Sequence, residues 1–181
     1  MFRGRARRAG FTAVEILAVT GILTGLGGGA FVGNTSQAHQ TACQQQLRQI
    51  GMAIQMMTMT GEPLPKAWFY PPDRHQNRET YNIVRLMSSH VPANLFVCPA
   101  APQEINRRGI AYVYNSRVGG RTLDSIGNPS RTWLLMDINV VSDQVPPAHR
   151  GGCNVLFADG SVKWFPASQL PKFPLPQTQE G

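Results

Sequence analysis

A single carboxylate stands in an apolar run that offers it no partner. In "RRAGFTAVEILAVTGILTG", residues 7–25, two arginines and a glycine lead into a hydrophobic stretch that carries Glu15. An ionised glutamate in the middle of a membrane-length segment costs about 2.5–3.5 kcal/mol. A cut between Gly10 and Phe11 would supply a counter-charge, because Phe11 would then bear an α-amino group about one helical turn from the acid. Where such helices lie side by side, the carboxylate of one can neutralise the amine of the next. The pair tolerates burial that neither charge tolerates alone. The helix dipole favours the acid in these first turns as well. The chemistry suggested is recognition between copies of one chain.

The other reactive side chains are dispersed. Cys43, Cys98 and Cys153 form no CxxC pair, which argues against a zinc ribbon. His39, His75, His90 and His149 show no HExxH spacing, and there is no Walker-type glycine loop, no GxSxG and no evident nucleophile–base pair. These features point away from an enzyme. His149 and Asp159 flank a strand candidate at 153–158 that would hold them roughly 20 Å apart, unless Gly151-Gly152 folds the chain back. Asp159 therefore reads as a turn former, Gly160 as a positive-φ residue and His149 as a hydrogen-bonding loop residue.

The net charge of +7 over 181 residues suggests nucleic acid until it is located. Arg3, Arg5, Arg7 and Arg8 precede the apolar run, and from residue 11 onward 13 basic residues face 10 acidic ones. The remaining charges are scattered without interleaved aromatics, so nucleic-acid binding is not expected.

The elements that must position these residues follow from periodicity. Phe11–Val32 is 22 residues of apolar character, enough to cross a bilayer as a helix. The preceding arginines would remain cytoplasmic and send the rest of the chain outward. Gly21, Gly25, Gly29 and Gly33 recur every fourth position and mark one helical face, which lets backbones approach closely. In "TACQQQLRQIGMAIQMMTMTG" the residues Cys43, Leu47, Ile50, Ile54 and Met57 form an amphipathic stripe, with Gln44, Gln45, Arg48, Gln49 and Gln55 expected to face water. Gly61, Pro63 and Pro65 end that helix. A nearly continuous helix over Thr12–Thr60 would be roughly 70 Å long.

Residues 62–109 are proline-rich, with one helical candidate, "ETYNIVRLMSSH". Strand-like runs follow: "IAYVYN", "RTWLLMD", "CNVLFA" and "SVKWF". Asp159-Gly160 favours a two-residue type I′ turn between the last two. That register sets Phe157 opposite Val162 and Val155 opposite Trp164. It puts Cys153, Val155, Phe157, Val162 and Trp164 on one face, and Asn154, Ser161 and Lys163 on the other. In an oxidising compartment Cys43 could bridge to Cys98, or Cys98 could be a buried thiol; Cys153 is expected to be free.

The N-terminal run resembles the class III signal of type IV prepilins and type II secretion pseudopilins, with Gly10 before the scissile bond, Phe11 after it and Glu15 at the fifth mature position. The resemblance implies cleavage and N-methylation of Phe11 by prepilin peptidase. "ACQQQLRQIGMAIQMM", "FVCPA" and "HRGGCNVLFADGSVKWF" are similar to further elements of pseudopilin-like, prepilin-type processing-associated proteins. The last of these contains His149, nine residues, then Asp159-Gly160. Ser161 replaces the histidine usual after Asp-Gly, Thr20 and the glycines replace a more aliphatic run, and no proline stands near Val32. Major pseudopilins commonly bind calcium in a C-terminal loop, and Asp137, Asn139 and Asp143 offer oxygen ligands of that kind.

The expected fold class is α+β: a long N-terminal helix packed on a small antiparallel sheet ending in a C-terminal hairpin. The expected division is a leader at 1–10, a transmembrane helix at 11–33, its outer half at 34–60, a head at 61–170 and a proline-rich tail at 171–181. The implied function is a structural subunit of a type IV pilus or secretion pseudopilus. Its implied partners are prepilin peptidase, sister and other pilin-like subunits, and an inner-membrane platform with a cytoplasmic ATPase. The expected location is a single pass through the bacterial inner membrane with a periplasmic head. The alternative is a monomeric exported or anchored binding domain.

Overall fold

A computed structural model of the protein describes residues 35–69, 81–141 and 147–170. The chain divides into two compact units, Met1–Thr35 and Ser36–Gly181. The second contains nearly all the described residues and is α+β.

Helix α1 spans Thr35–Met59. Its buried apolar side chains are Cys43, Leu47, Ile50, Ile54 and Met57, all at most 4% exposed. Spacing of four, three, four and three puts them on one face. Complete burial of each large aliphatic contributes about 1.5–3 kcal/mol. Gly51 lies on the same face and lets the helix sink onto the sheet, since a Cβ there would stand 2.8 Å from Leu156 Cδ1. The helix ends where Gly61 adopts φ +86°. Gln45, Arg48 and Gln49 are exposed, but Gln44 is not a water-facing residue: its Nε2 donates to Asn154 Oδ1 at 3.1 Å.

Four antiparallel strands follow in sequential order: β1 (Tyr112–Tyr114), β2 (Trp133–Asp137), β3 (Gly152–Phe157) and β4 (Val162–Pro166). Strands β1, β2 and β3 are buried throughout, whereas β4 at the edge is largely half-buried. Two short helices, α2 (Ile83–Leu86) and α3 (Gln103–Arg107), lie in the proline-rich middle. Asn82 caps α2 by accepting a 3.0 Å bond from the Val84 N–H.

The β3–β4 register differs by one residue from the expected pairing. Val162 stands opposite Leu156, and Trp164 opposite Asn154. The cause is the turn. Gly160 N–H donates to Phe157 carbonyl and Phe157 N–H donates to Ser161 carbonyl, both at 2.9 Å, and only Gly160 has positive φ, +82°. This is a three-residue loop with a glycine bulge in place of a two-residue type I′ turn. One residue of slip exchanges the faces of β4. Lys163 and Phe165 accordingly lie with Phe157, the Lys163 Nζ 5.0 Å from the Phe157 ring centroid. Asn154, expected to face water, is fully buried because β3 is covered on both sides.

Asp159 closes the turn by accepting from Ser161 N–H and Oγ at 2.9 and 2.7 Å. Slight burial pushes its carboxyl up, but the Ser161 bonds and the Lys163 charge outweigh this and hold it below 3.8. That anchoring is present above the ordinary value and is lost as pH falls through the lowered one.

The expectation of a single-pass inner-membrane protein requires correction. Among the described residues no helix is long and apolar enough to cross a membrane. The outward face of α1 carries Gln45, Arg48 and Gln49, which no bilayer interior would accept. The run 11–33 on which that expectation rested lies outside the described residues.

Candidate functional site

Four segments distant in sequence converge beneath the first covered turn of α1. Cys43 comes from the helix, Cys98 from the loop before α3, Asp137 from the end of β2 and His149 from the turn before β3. Cys43 and Cys98 form a disulfide with Cα atoms 5.6 Å apart. The Nε2 atom of His149 lies 3.2 Å from Cys98 Sγ and 3.5 Å from Asp137 Oδ2. His149 is fully buried and Asp137 is 2% exposed.

Local backbone geometry brings His149 inward. Arg150 and Gly151 both have positive φ, +51° and +74°, and Gly152 N–H donates to the His149 carbonyl at 2.9 Å. Positive φ at both central positions is the mark of a type I′ turn. That geometry therefore occurs here, at the other end of β3 from Asp159. A left-handed arginine costs about 1–2 kcal/mol. Its guanidinium is tied down by a 3.1 Å bond from Nη2 to Gln37 Oε1 of α1. Trp164 Nε1 donates to the His149 carbonyl at 2.8 Å and fixes the turn from the β4 side.

Asp137 Oδ2 accepts from Asn154 N–H at 2.6 Å. Both neighbours of His149 Nε2 are acceptors, a carboxylate and a disulfide sulfur, which assigns the imidazole proton to Nε2. His149 Nδ1 and Asp137 Oδ1 are buried with no hydrogen-bond partner among the described residues. Such groups are costly unless something binds them.

The field of this cluster reaches nearby groups. Burial, and then the Asp137 charge, hold the Tyr112 hydroxyl well above its ordinary value. The same two causes, in the same order, push the free Cys153 thiol far above 9.0. Cys153 therefore stays a thiol near neutrality and is a poor attacker of the Cys43–Cys98 bond. A cavity of about 10 Å³ lies against Cys98 and Asp137, bordered by Ala101, Pro102, Asn139 and Ala148. It admits a water or an ion, and nothing as large as an organic substrate.

The sequence candidates divide accordingly. Cys43, Cys98, His149 and Asp137 come together. Asp159 and Gly160 sit at the β3–β4 turn, where a Cβ on Gly160 would meet Gln55 Nε2 of α1 at 2.5 Å. Asn139 is half-buried, its Oδ1 without a hydrogen-bond partner among the described residues, and Asp143 lies outside the described residues. The Asp137 carboxylate is buried and faces His149 Nε2. Gly10, Phe11, Glu15, Gly21, Gly25, Gly29 and Gly33 lie outside the described residues. The Asp137–His149 pairing has no signature in sequence spacing; the one hint is that Asp137 ends a run of four buried apolar residues. Compared with protein-family models, curated proteins and solved structures, the chain matches none of them.

Proposed function

We propose that the chain is a pilin- or pseudopilin-like structural subunit. In this reading prepilin peptidase cuts between Gly10 and Phe11 and methylates the new terminus. Mature subunits then pack their N-terminal helices into a filament of a type IV pilus or secretion pseudopilus. The partners required are the peptidase, sister and other pilin-like subunits, and an assembly platform driven by a cytoplasmic ATPase. The observation that carries the reading is "RRAGFTAVEIL": a basic leader, a Gly-Phe junction and one acid five positions into the mature chain.

The geometry of the head supports it. The α1 residues before Cys43 are mostly exposed, and Cys43, the first buried one, is covalently tied to Cys98. Tension along α1 would meet that bond before any non-covalent contact of the stripe. On the outer side Met52, Met56 and Met59 are 55%, 68% and 86% exposed at helical spacing. They form an apolar strip suited to packing against a sister subunit.

Glu15→Ala tests the charge-pairing step. Cleavage at Gly10 is expected to persist while incorporation into sheared filaments falls at least about tenfold, as loss of one member of a buried pair costs several kcal/mol. Normal incorporation of that variant would remove the proposed alignment device.

A further inference from the structure

The disulfide cluster holds the donor set of a tetrahedral metal site. We propose that, once the Cys43–Cys98 bond is reduced, the same core binds one zinc ion through both thiolates, His149 Nε2 and the Asp137 carboxylate.

Geometry comes first. The two sulfurs and a ring nitrogen of His149 lie within 4.8 Å of one another, and all three residues are buried. With Zn–S of about 2.3 Å and Zn–N and Zn–O near 2.0–2.1 Å, tetrahedral edges are roughly 3.5 Å for S···N and 3.3 Å for N···O. The corresponding separations here are 3.2 Å from Cys98 Sγ to Nε2 and 3.5 Å from Nε2 to Asp137 Oδ2. The sulfurs must separate to about 3.8 Å, and the Asp137 carboxylate, which is not one of the donors lying within 4.8 Å of one another, must swing toward them; the small cavity beside Cys98 and Asp137 gives room for this. Thiolate and imidazole donors favour zinc over calcium.

Charge agrees. Two thiolates and a divalent ion sum to zero, so zinc adds no net charge to a core that already holds Asp137. His149 Nδ1 and Asp137 Oδ1, which have no hydrogen-bond partner among the described residues, stay off the metal, and Nδ1 takes the proton that leaves Nε2. Metal would also replace the lost covalent tie between α1 and the Cys98 loop, and add the His149 turn to it.

The chemistry balances with a dithiol as reductant. Its two thiols give two electrons and two protons to the Cys43–Cys98 bond; it leaves as a disulfide and the protein gains two thiols. Zinc then displaces those two protons to solvent, and His149 moves its own proton from Nε2 to Nδ1. A small-molecule disulfide reverses the redox step: it takes two electrons from the two thiolates and two protons from solvent and leaves as two thiols, the Cys43–Cys98 bond re-forms and Zn²⁺ is released.

The full chain is reduced with dithiothreitol, freed of reductant without air and titrated with Co²⁺ as a spectroscopic probe. The expected result is a one-to-one endpoint with tetrahedral d–d bands and thiolate charge transfer, bleached by Zn²⁺ and untouched by Ca²⁺. His149→Ala is expected to weaken binding by about tenfold or more. A second measurement needs no variant: Zn²⁺ must slow alkylation of Cys43 and Cys98 in the reduced wild-type chain, mapped by peptide mass. Absence of the cobalt bands, or equal alkylation rates with and without zinc, overturns the proposal.

Discussion

Replacing both Cys43 and Cys98 by alanine is expected to lower the stability of the non-reduced head by about 4–5 kcal/mol. The bond closes a loop with a sequence separation of 55, for which the chain-entropy estimate is about 4 kcal/mol. Truncation also leaves a void at two positions that are at most 1% exposed, which adds a packing loss. The buried His149–Asp137 pair would then face that void without its sulfur neighbour. For a domain of this size the midpoint of thermal unfolding should fall by about 10 °C. Urea unfolding checks it: the midpoint drops, and the slope rises somewhat because the uncrosslinked denatured chain expands. A loss below about 1 kcal/mol would show that the disulfide does not clamp α1 to the head.

Gly152→Ala is expected to cost about 3 kcal/mol through a different route. A Cβ at this position would run into the Phe165 carbonyl oxygen and stand 2.7 Å from two atoms of the Trp164 indole. Neither can yield cheaply, since one is backbone and the other is held by its bond to the His149 carbonyl. Strand β4 must shift outward, and the turn that aims His149 into the core loosens with it. Gly127→Ala is the control: its Cβ meets nothing within 4 Å, so its effect should stay within about 0.5 kcal/mol. Denaturant midpoints of the two variants make the comparison. Equal midpoints would contradict the close β3–β4 approach at Gly152.

The parts of the fold legible in the sequence are those written as period. The stripe Cys43, Leu47, Ile50, Ile54, Met57 identifies the docked face of α1, and four β-type runs match the four strands. Register was less legible. Asp159-Gly160 suits both a two-residue I′ turn and a three-residue loop with a glycine bulge, because each needs positive φ at the glycine. They differ in the backbone of the two residues before it, Ala158 and Asp159, and in which pair closes the loop. Arg150-Gly151 was hidden for the opposite reason: an arginine in the left-handed region is uncommon, and only tertiary contacts hold it there. Asn154 follows the same logic. Alternation marks it as outward, yet β3 is covered on both sides and α1 supplies Gln44 as its partner.

The site was legible in fragments. Cysteine chemistry alone suggested Cys43 with Cys98, one of two options left open. In the sequence His149 reads as a hydrogen-bonding loop residue and Asp137 as one of three oxygen donors near the end of β2, and neither reading names the other as its neighbour. Their meeting depends on the β2–β3 pairing and on a tight turn ahead of β3, and linear spacing encodes neither. The glutamate in the N-terminal run is the reverse case, a local anomaly visible in the sequence alone, and it lies outside the described residues.

The processing claim is tested most directly by the mass and sequence of the N-terminus of the protein isolated from the cells that make it. The account predicts a chain that begins at Phe11 with one added methyl group on its amine. A chain that keeps Met1 and its arginines, or that begins near His39, would contradict it.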